Sequence, residues 1–187
     1  MNKKTIALTQ TQYEEIISTI RSGFLNHKPN EQIATALIIE ANLGLRVSDI
    51  VRLRLKDIIR DGTRYRLSIV EKKTQKQRSF TVPDEIYQYI RLYCIDNEIK
   101  SHDVIFPLSA RAIQKHLQKT SDYLGYSGIG THSFRKFFAT QIYQNNNYNI
   151  ILVQQLLQHS SPTVTQAYIG LGSQELENAL QKNLNLL

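Results

Sequence analysis

The chain of 187 residues holds one cysteine, Cys94, which excludes an internal disulfide and any cysteine-rich zinc site. Cys94 reads instead as a buried core thiol. No apolar run approaches the roughly 18 residues of a membrane span. The opening residues, Met1-Asn2-Lys3-Lys4-Thr5-Ile6-Ala7-Leu8, are too short and too polar for a signal peptide. Internal repeats and low-complexity tracts are also missing. Charged residues make up 21% of the chain, too few and too mixed for disorder, while 41% hydrophobic residues suffice to fill one core. A single soluble, cytoplasmic domain is the expectation.

Acidic residues are scarce where basic ones crowd. Between Arg46 and Arg78 stand eleven basic residues and four acids, and that local surplus accounts for the whole net charge of +7. Positive charge gathered in one stretch points to a surface that meets phosphates.

Thr9-Gln10-Thr11-Gln12 has the form of a capping box, and Tyr13, Ile16, Ile17, Ile20 and Phe24 follow at helical spacing. A second helix is predicted from Glu31 to a stop at Asn42 and Gly44, then a short one over Ser48 to Leu53. The period next changes to two. Tyr65, Leu67 and Ile69 alternate with polar residues, and Phe80 and Val82 resume the alternation after a polar turn from Glu71 to Gln77. Asp57 to Arg60 supplies a third strand of a small antiparallel sheet. Further helices are predicted after Pro83, over Ser109–Leu124, Ser133–Tyr143 and Ile150–Gln158, and after Ser173. The fold class is therefore α+β, mostly helical with one small three-stranded antiparallel sheet.

Four segments carry chemistry together. They are Gly44-Leu45-Arg46-Val47-Ser48-Asp49-Ile50, the strand turn from Lys72 to Arg78, Thr131-His132-Ser133-Phe134-Arg135, and the run from Leu156 through His159 to Tyr168 and Ile169. The order Arg, Lys, His-x-x-Arg, His, Tyr, with nine residues from His159 to Tyr168, resembles the catalytic boxes of the tyrosine recombinase family, the phage integrases and Xer-type resolvases. The resemblance runs from about Thr9 to the C-terminus.

That resemblance implies a site-specific DNA recombinase serving integration, excision or inversion. Tyr168 matches the nucleophile that forms a 3′-phosphotyrosyl link. Arg46 and Arg135 match the arginines that hold the non-bridging phosphate oxygens, a task suited to a planar, permanently charged fork. Lys73 resembles the hairpin lysine that protonates the 5′-oxygen, with Lys72 and Lys76 as alternatives in the same turn. His132 would exchange a proton with the tyrosine, and His159 would donate to the phosphate. Asp49 stands where the family more often has Glu, as a carboxylate bracing Arg46, and Gln158 stands where it usually has Gly. Arg52, Arg54, Lys72, Lys76 and Arg78 are expected to bind the DNA backbone. The link conserves the phosphodiester energy and the chain carries no Walker loop, so no cofactor is implied, and no metal, since His132 and His159 lack acidic or cysteine partners at ligand spacing.

Residues 1–187 read as one catalytic domain without the N-terminal core-binding domain of most relatives, either as an excised fragment or as a short recombinase. Leu176, Leu180, Leu184 and Leu187 form a stripe on a helix over 173–187, which in the family commonly docks on a neighbouring protomer within a tetramer on two duplex DNA sites; the alternative is packing on the chain's own core. Two other readings use the same scaffold: a type IB topoisomerase-like activity that relaxes supercoils, and a catalytically idle DNA-binding regulator.

Overall fold

The structure, a computed structural model, describes residues 5–170 and residue 181. The expected helix over 173–187 and its leucine stripe therefore fall outside the described residues. Among the described residues no helix is long and apolar enough to cross a membrane.

Helix α1, Gln10–Ser22, starts at the capping box read from the sequence: Gln12 N donates to Thr9 Oγ1 and Thr9 N donates to Gln12 Oε1. Helix α2, Glu31–Leu43, is capped by Asn30, whose Oδ1 accepts from Ile33 N at 2.9 Å. Nine of its thirteen residues are buried, so α2 runs through the middle of the first unit and has almost no solvent face. It ends at Gly44, which is left-handed at φ 57°, and a Cβ there would lie 2.4 Å from the ring of Phe138. Both the dihedral and the space demand glycine.

Helix α3 is shorter than expected, Val47–Ile50. The main chain then pairs elsewhere: Ile105 N donates to Leu53 O at 2.9 Å, and Arg54 bridges Val104. A single 3₁₀ turn at Leu55–Asp57 leads into the sheet. Strands β1 (Ile58–Asp61), β2 (Arg64–Val70) and β3 (Gln77–Val82) form the expected antiparallel sheet in that order, with Leu67 opposite both Ile58 and Phe80. Helices α4 (Asp84–Asp96), α5 (Ala110–Tyr123), α6 (Thr131–Asn145) and α7 (Ile150–Leu157) follow the periodicity closely. Helix α8, Pro162–Ile169, was not anticipated; Ser161 caps it and Pro162 opens it.

The chain divides into two compact units, Met1–Phe138 and Ala139–Leu187, with the boundary inside α6. The first has one core, in which Ile16, Leu37, Ile50, Leu67, Phe106 and Phe134 are fully enclosed together with Cys94. Ring stacking ties elements across it: Tyr13 of α1 on Phe137 at 4.9 Å, and Tyr65 of β2 on Tyr87 of α4 at 3.6 Å. In the second, Val153 and Leu157 of α7 and Thr165 of α8 are buried.

Gly44→Ala should therefore destabilise the protein by about 2–4 kcal/mol, combining the left-handed penalty with overpacking against Phe138. Urea unfolding of the two proteins measures it, and a loss under about 0.5 kcal/mol would mean that the α2 terminus relaxes freely.

Candidate active site

Three arginines gather at the C-terminal end of α2. Arg78 of β3 donates from Nη1 to Gly44 O at 3.0 Å and from Nη2 to Leu43 O at 3.1 Å, and Arg135 of α6 donates to the same Gly44 carbonyl. The free carbonyls of a helix C-terminus carry partial negative charge and suit guanidinium donors. Arg46, the N-cap residue of α3, lies just beyond and pairs through Nη1 with Glu71 Oε2. Glu71, the residue after β2, is 1% exposed and also faces Arg78 at 3.4 Å. Burial opposes its charge, but the Thr74 hydroxyl and the two arginines outweigh that and hold its carboxyl below the ordinary value. Sequence reasoning missed Glu71 because its partner Arg46 is 25 residues away and nothing local marks it.

Asp49 is 4% exposed and accepts the Lys72 main-chain N–H at 2.8 Å. It thus holds the hairpin turn, while the carboxylate that meets Arg46 is Glu71. Lys72, Lys73 and Lys76 are exposed on that turn. Arg52 and Arg54 are exposed and line an open cavity of about 340 Å³ with Asp49, Asp57 and Ser68. Arg78 corrects an expectation. Grouped above with the DNA-backbone contacts, it is 1% exposed and held by main-chain carbonyls, with its guanidinium 4.7 Å over the Phe80 ring. Burial, then the charge of Arg135, lowers its pKa to about 9. With Nη1 and Nη2 both bound to the carbonyls that end α2, its guanidinium is engaged inside the fold and not at a DNA surface.

His132 and Arg135 are three residues apart and share a face at the start of α6. Desolvation of the ring, followed by the charges of Arg135, Lys73 and Arg46, holds the His132 imidazole below its ordinary value of 6.5. Its proton acceptor is therefore available at neutral pH. Arg46, Lys73, His132 and Arg135 all belong to the first unit.

His159 and Tyr168 belong to the second, and there they meet. Their rings are 5.0 Å apart and nearly perpendicular, and His159 Nδ1 lies 3.1 Å from the Thr165 hydroxyl, one turn before Tyr168 on α8. Gln158 caps α7 in the left-handed region at φ 55°, ψ 41°. That conformation costs a non-glycine residue about 1 kcal/mol. The His159 main chain is nonetheless fixed, its N–H donating to Gln154 O at 3.1 Å and its carbonyl accepting from Gln154 Nε2 at 3.2 Å. Among the described residues no group of three or more His, Cys, Asp or Glu could hold a metal ion.

Residues 7–175 match the phage integrase family. The chain is 31% identical to the probable integrase/recombinase YoeC of Bacillus subtilis, over 84% of this chain and 86% of that protein. It is 26% identical to the tyrosine recombinase XerC of Caldanaerobacter subterraneus, over 95% of this chain and 51% of that protein, so it spans about half the length of that relative. Among solved structures it resembles the XerH site-specific recombinase bound to palindromic difH substrate (TM-score 0.70, 22% identity, 96% of this chain and 54% of that one). It also resembles the catalytic domain of bacteriophage HP1 integrase (TM-score 0.66, 19% identity, 96% of both chains). These likenesses establish a tyrosine recombinase catalytic fold.

One buried group stands apart from the arginine pairs. Glu40, in the last turn of α2, is 1% exposed and neither carboxylate oxygen has a hydrogen-bond partner among the described residues. Desolvation raises its pKa well above 4.5, and the charge of Arg135 offsets this only in part. A carboxyl raised in the folded state binds protons that the unfolded chain releases, so stability is lost as pH rises from the ordinary value toward the raised one. Across that window the wild type should lose about 1.4 kcal/mol per pH unit relative to Glu40→Gln, measured as urea unfolding of both proteins between pH 4 and 8. Parallel curves would show that Glu40 has found a partner.

Proposed function

The chain belongs to the phage integrase family, and on that footing we propose that it is a site-specific DNA recombinase that cleaves and rejoins duplex DNA through a 3′-phosphotyrosyl intermediate. The observation that carries this reading is the pairing of His159 with Tyr168 beside Thr165, in a chain whose first unit gathers Arg46, Arg135 and His132 around the end of α2. Its chemistry is phosphoryl transfer without hydrolysis.

In this reading Tyr168 Oη attacks the scissile phosphorus and the bond from phosphorus to the 5′-oxygen breaks. Tyrosine's ordinary pKa of about 10 makes the unaided phenol a poor nucleophile, so its proton passes to the neutral His132 imidazole. Lys73 Nζ gives a proton to the departing 5′-oxygen. Arg46 and Arg135 hold the non-bridging oxygens as charge builds in the transition state, with His159 donating a further hydrogen bond. The reverse attack by a 5′-hydroxyl rejoins the strand and needs no external energy source. Arg52, Arg54, Lys72 and Lys76 contact the DNA backbone. The chain acts as one catalytic domain in the cytoplasm, and its segment 173–187 joins protomers into a tetramer on two DNA sites.

The test is covalent trapping on a library of nicked duplexes with a randomised centre, resolved under denaturing conditions. Wild type should yield a protein–DNA adduct that Tyr168→Phe abolishes and that Arg46→Gln slows by about 10²–10³-fold. No adduct from wild type, with duplex binding retained, would make the chain an idle DNA-binding regulator. Relaxation of supercoiled plasmid without joining of two sites would make it a topoisomerase.

The cleavage rate should also hold its plateau down through pH 6.5 and fall only as His132 takes up a proton below that value. A midpoint at or above 6.5, or one unchanged in His132→Asn, would assign the acid limb to another group.

A further inference from the structure

The turn that carries Lys73 is tied to α3 at two points. At one, the Lys72 main-chain N–H donates to Asp49 Oδ1 at 2.8 Å. The other is Glu71. Its Oε2 accepts from Arg46 Nη1 and from Thr74 Oγ1 at 2.8 Å, and its Oε1 faces Arg78 Nη1 at 3.4 Å. The main chain of the same residue closes the turn: Glu71 N donates to Lys76 O at 3.0 Å and Gln75 N donates to Glu71 O at 2.9 Å. Glu71 thus joins the side chain of one site arginine to the loop that presents the site lysine.

We propose that Glu71 is a positioning residue for DNA cleavage, orienting the Arg46 guanidinium and fixing the Lys73 turn as one unit without itself touching DNA. The proposal rests on the recombinase reading above.

Three features support it. First, Glu71 is 1% exposed, against 16% for the Arg46 side chain; DNA can reach the arginine and not the acid. Second, the Glu71 bond engages only Nη1 of Arg46. A guanidinium carries five N–H donors in a planar fork, so the rest of the fork remains for two phosphate oxygens while one corner is held. Third, Glu71 has its own anchor. Arg78 is fixed by the carbonyls of Leu43 and Gly44, so the carboxylate stays in place when a phosphate draws on Arg46. One carboxylate between two guanidiniums also leaves net positive charge to meet the phosphate. The rival role, in which Glu71 serves only to neutralise buried Arg78, predicts a loss of stability with the cleavage rate of folded protein untouched.

The experiment uses a duplex recovered from covalent trapping and compares wild type with Glu71→Gln and Glu71→Ala, measuring cleavage rate at saturating DNA separately from half-saturation. Both variants should cleave about 10- to 100-fold slower at saturation, with half-saturation and the folded fraction unchanged. A duplex with sulphur replacing the 5′-oxygen at the scissile bond separates the two arms. Its thiolate leaves without a proton, so it should recover the part of the loss due to a displaced Lys73 and leave the part due to Arg46. Wild-type rates in both variants, or a loss confined to half-saturation or to folding, would overturn the proposal.

A second readout needs no activity. In ¹⁵N side-chain spectra the Arg46 Nη signals, assigned through Arg46→Lys, should be resolved in wild type, where the Glu71 carboxylate hinders rotation, and averaged in Glu71→Ala. Identical signals would overturn the positioning role. Absence of any wild-type adduct would instead overturn the recombinase reading, and the spectra would still decide the role of Glu71.

Discussion

The end of α2 at Gly44 is the constraint from which the first unit's share of the site hangs. Its carbonyl receives guanidiniums from β3 and α6, two elements distant in sequence, and its left-handed turn sends the chain directly into Arg46 and α3. The ring of Phe138 closes on the same glycine. Helix, sheet and box arginines are therefore registered to a single peptide group. A helix C-terminus is well suited to the task, since its last carbonyls are unsatisfied within the helix and partly negative.

Gathering so much like charge in a partly buried place has electrostatic consequences. Arg78 is shifted toward losing its proton, first by burial and then by Arg135, and the nearby charges of Arg135, Lys73 and Arg46 help keep His132 neutral. Glu71 relieves the crowding at Arg46 and Arg78, and does so with its charge intact. Glu40 faces the opposite balance, because desolvation dominates and no donor among the described residues meets it. Two buried glutamates, one beside Arg135 and the other between Arg46 and Arg78, are thus driven in opposite directions, and hydrogen bonding is the difference between them.

Much of the fold was legible because periodicity and capping are local. The Thr9 box, the Asn30 and Gly44 ends of α2 and the alternation of β2 and β3 could all be read directly, and the observed elements follow them. Helix α8 was missed because eight residues rich in β-branched Thr163, Val164 and Thr165 show no helical stripe, although Ser161 and Pro162 were its start signals. Arg78 shows two rules in conflict. Its charge argued for the surface, yet it lies two residues before Phe80 and four before Val82 on one strand, and period two puts all three on the same face. The strand period prevailed, because carbonyls and Glu71 stood ready to satisfy the guanidinium. Glu71 could not be found from sequence at all, since its role depends on tertiary partners.

Cys94 offers a practical consequence. It is 1% exposed in the core and burial raises its pKa, while alkylating reagents attack the thiolate. The native thiol is therefore chemically silent in the folded protein. A cysteine introduced at an exposed position, whether on the hairpin turn or on α8, would be the one reactive thiol of the molecule, so a fluorophore or spin label placed there reports on that position alone, with the native residue left where it packs.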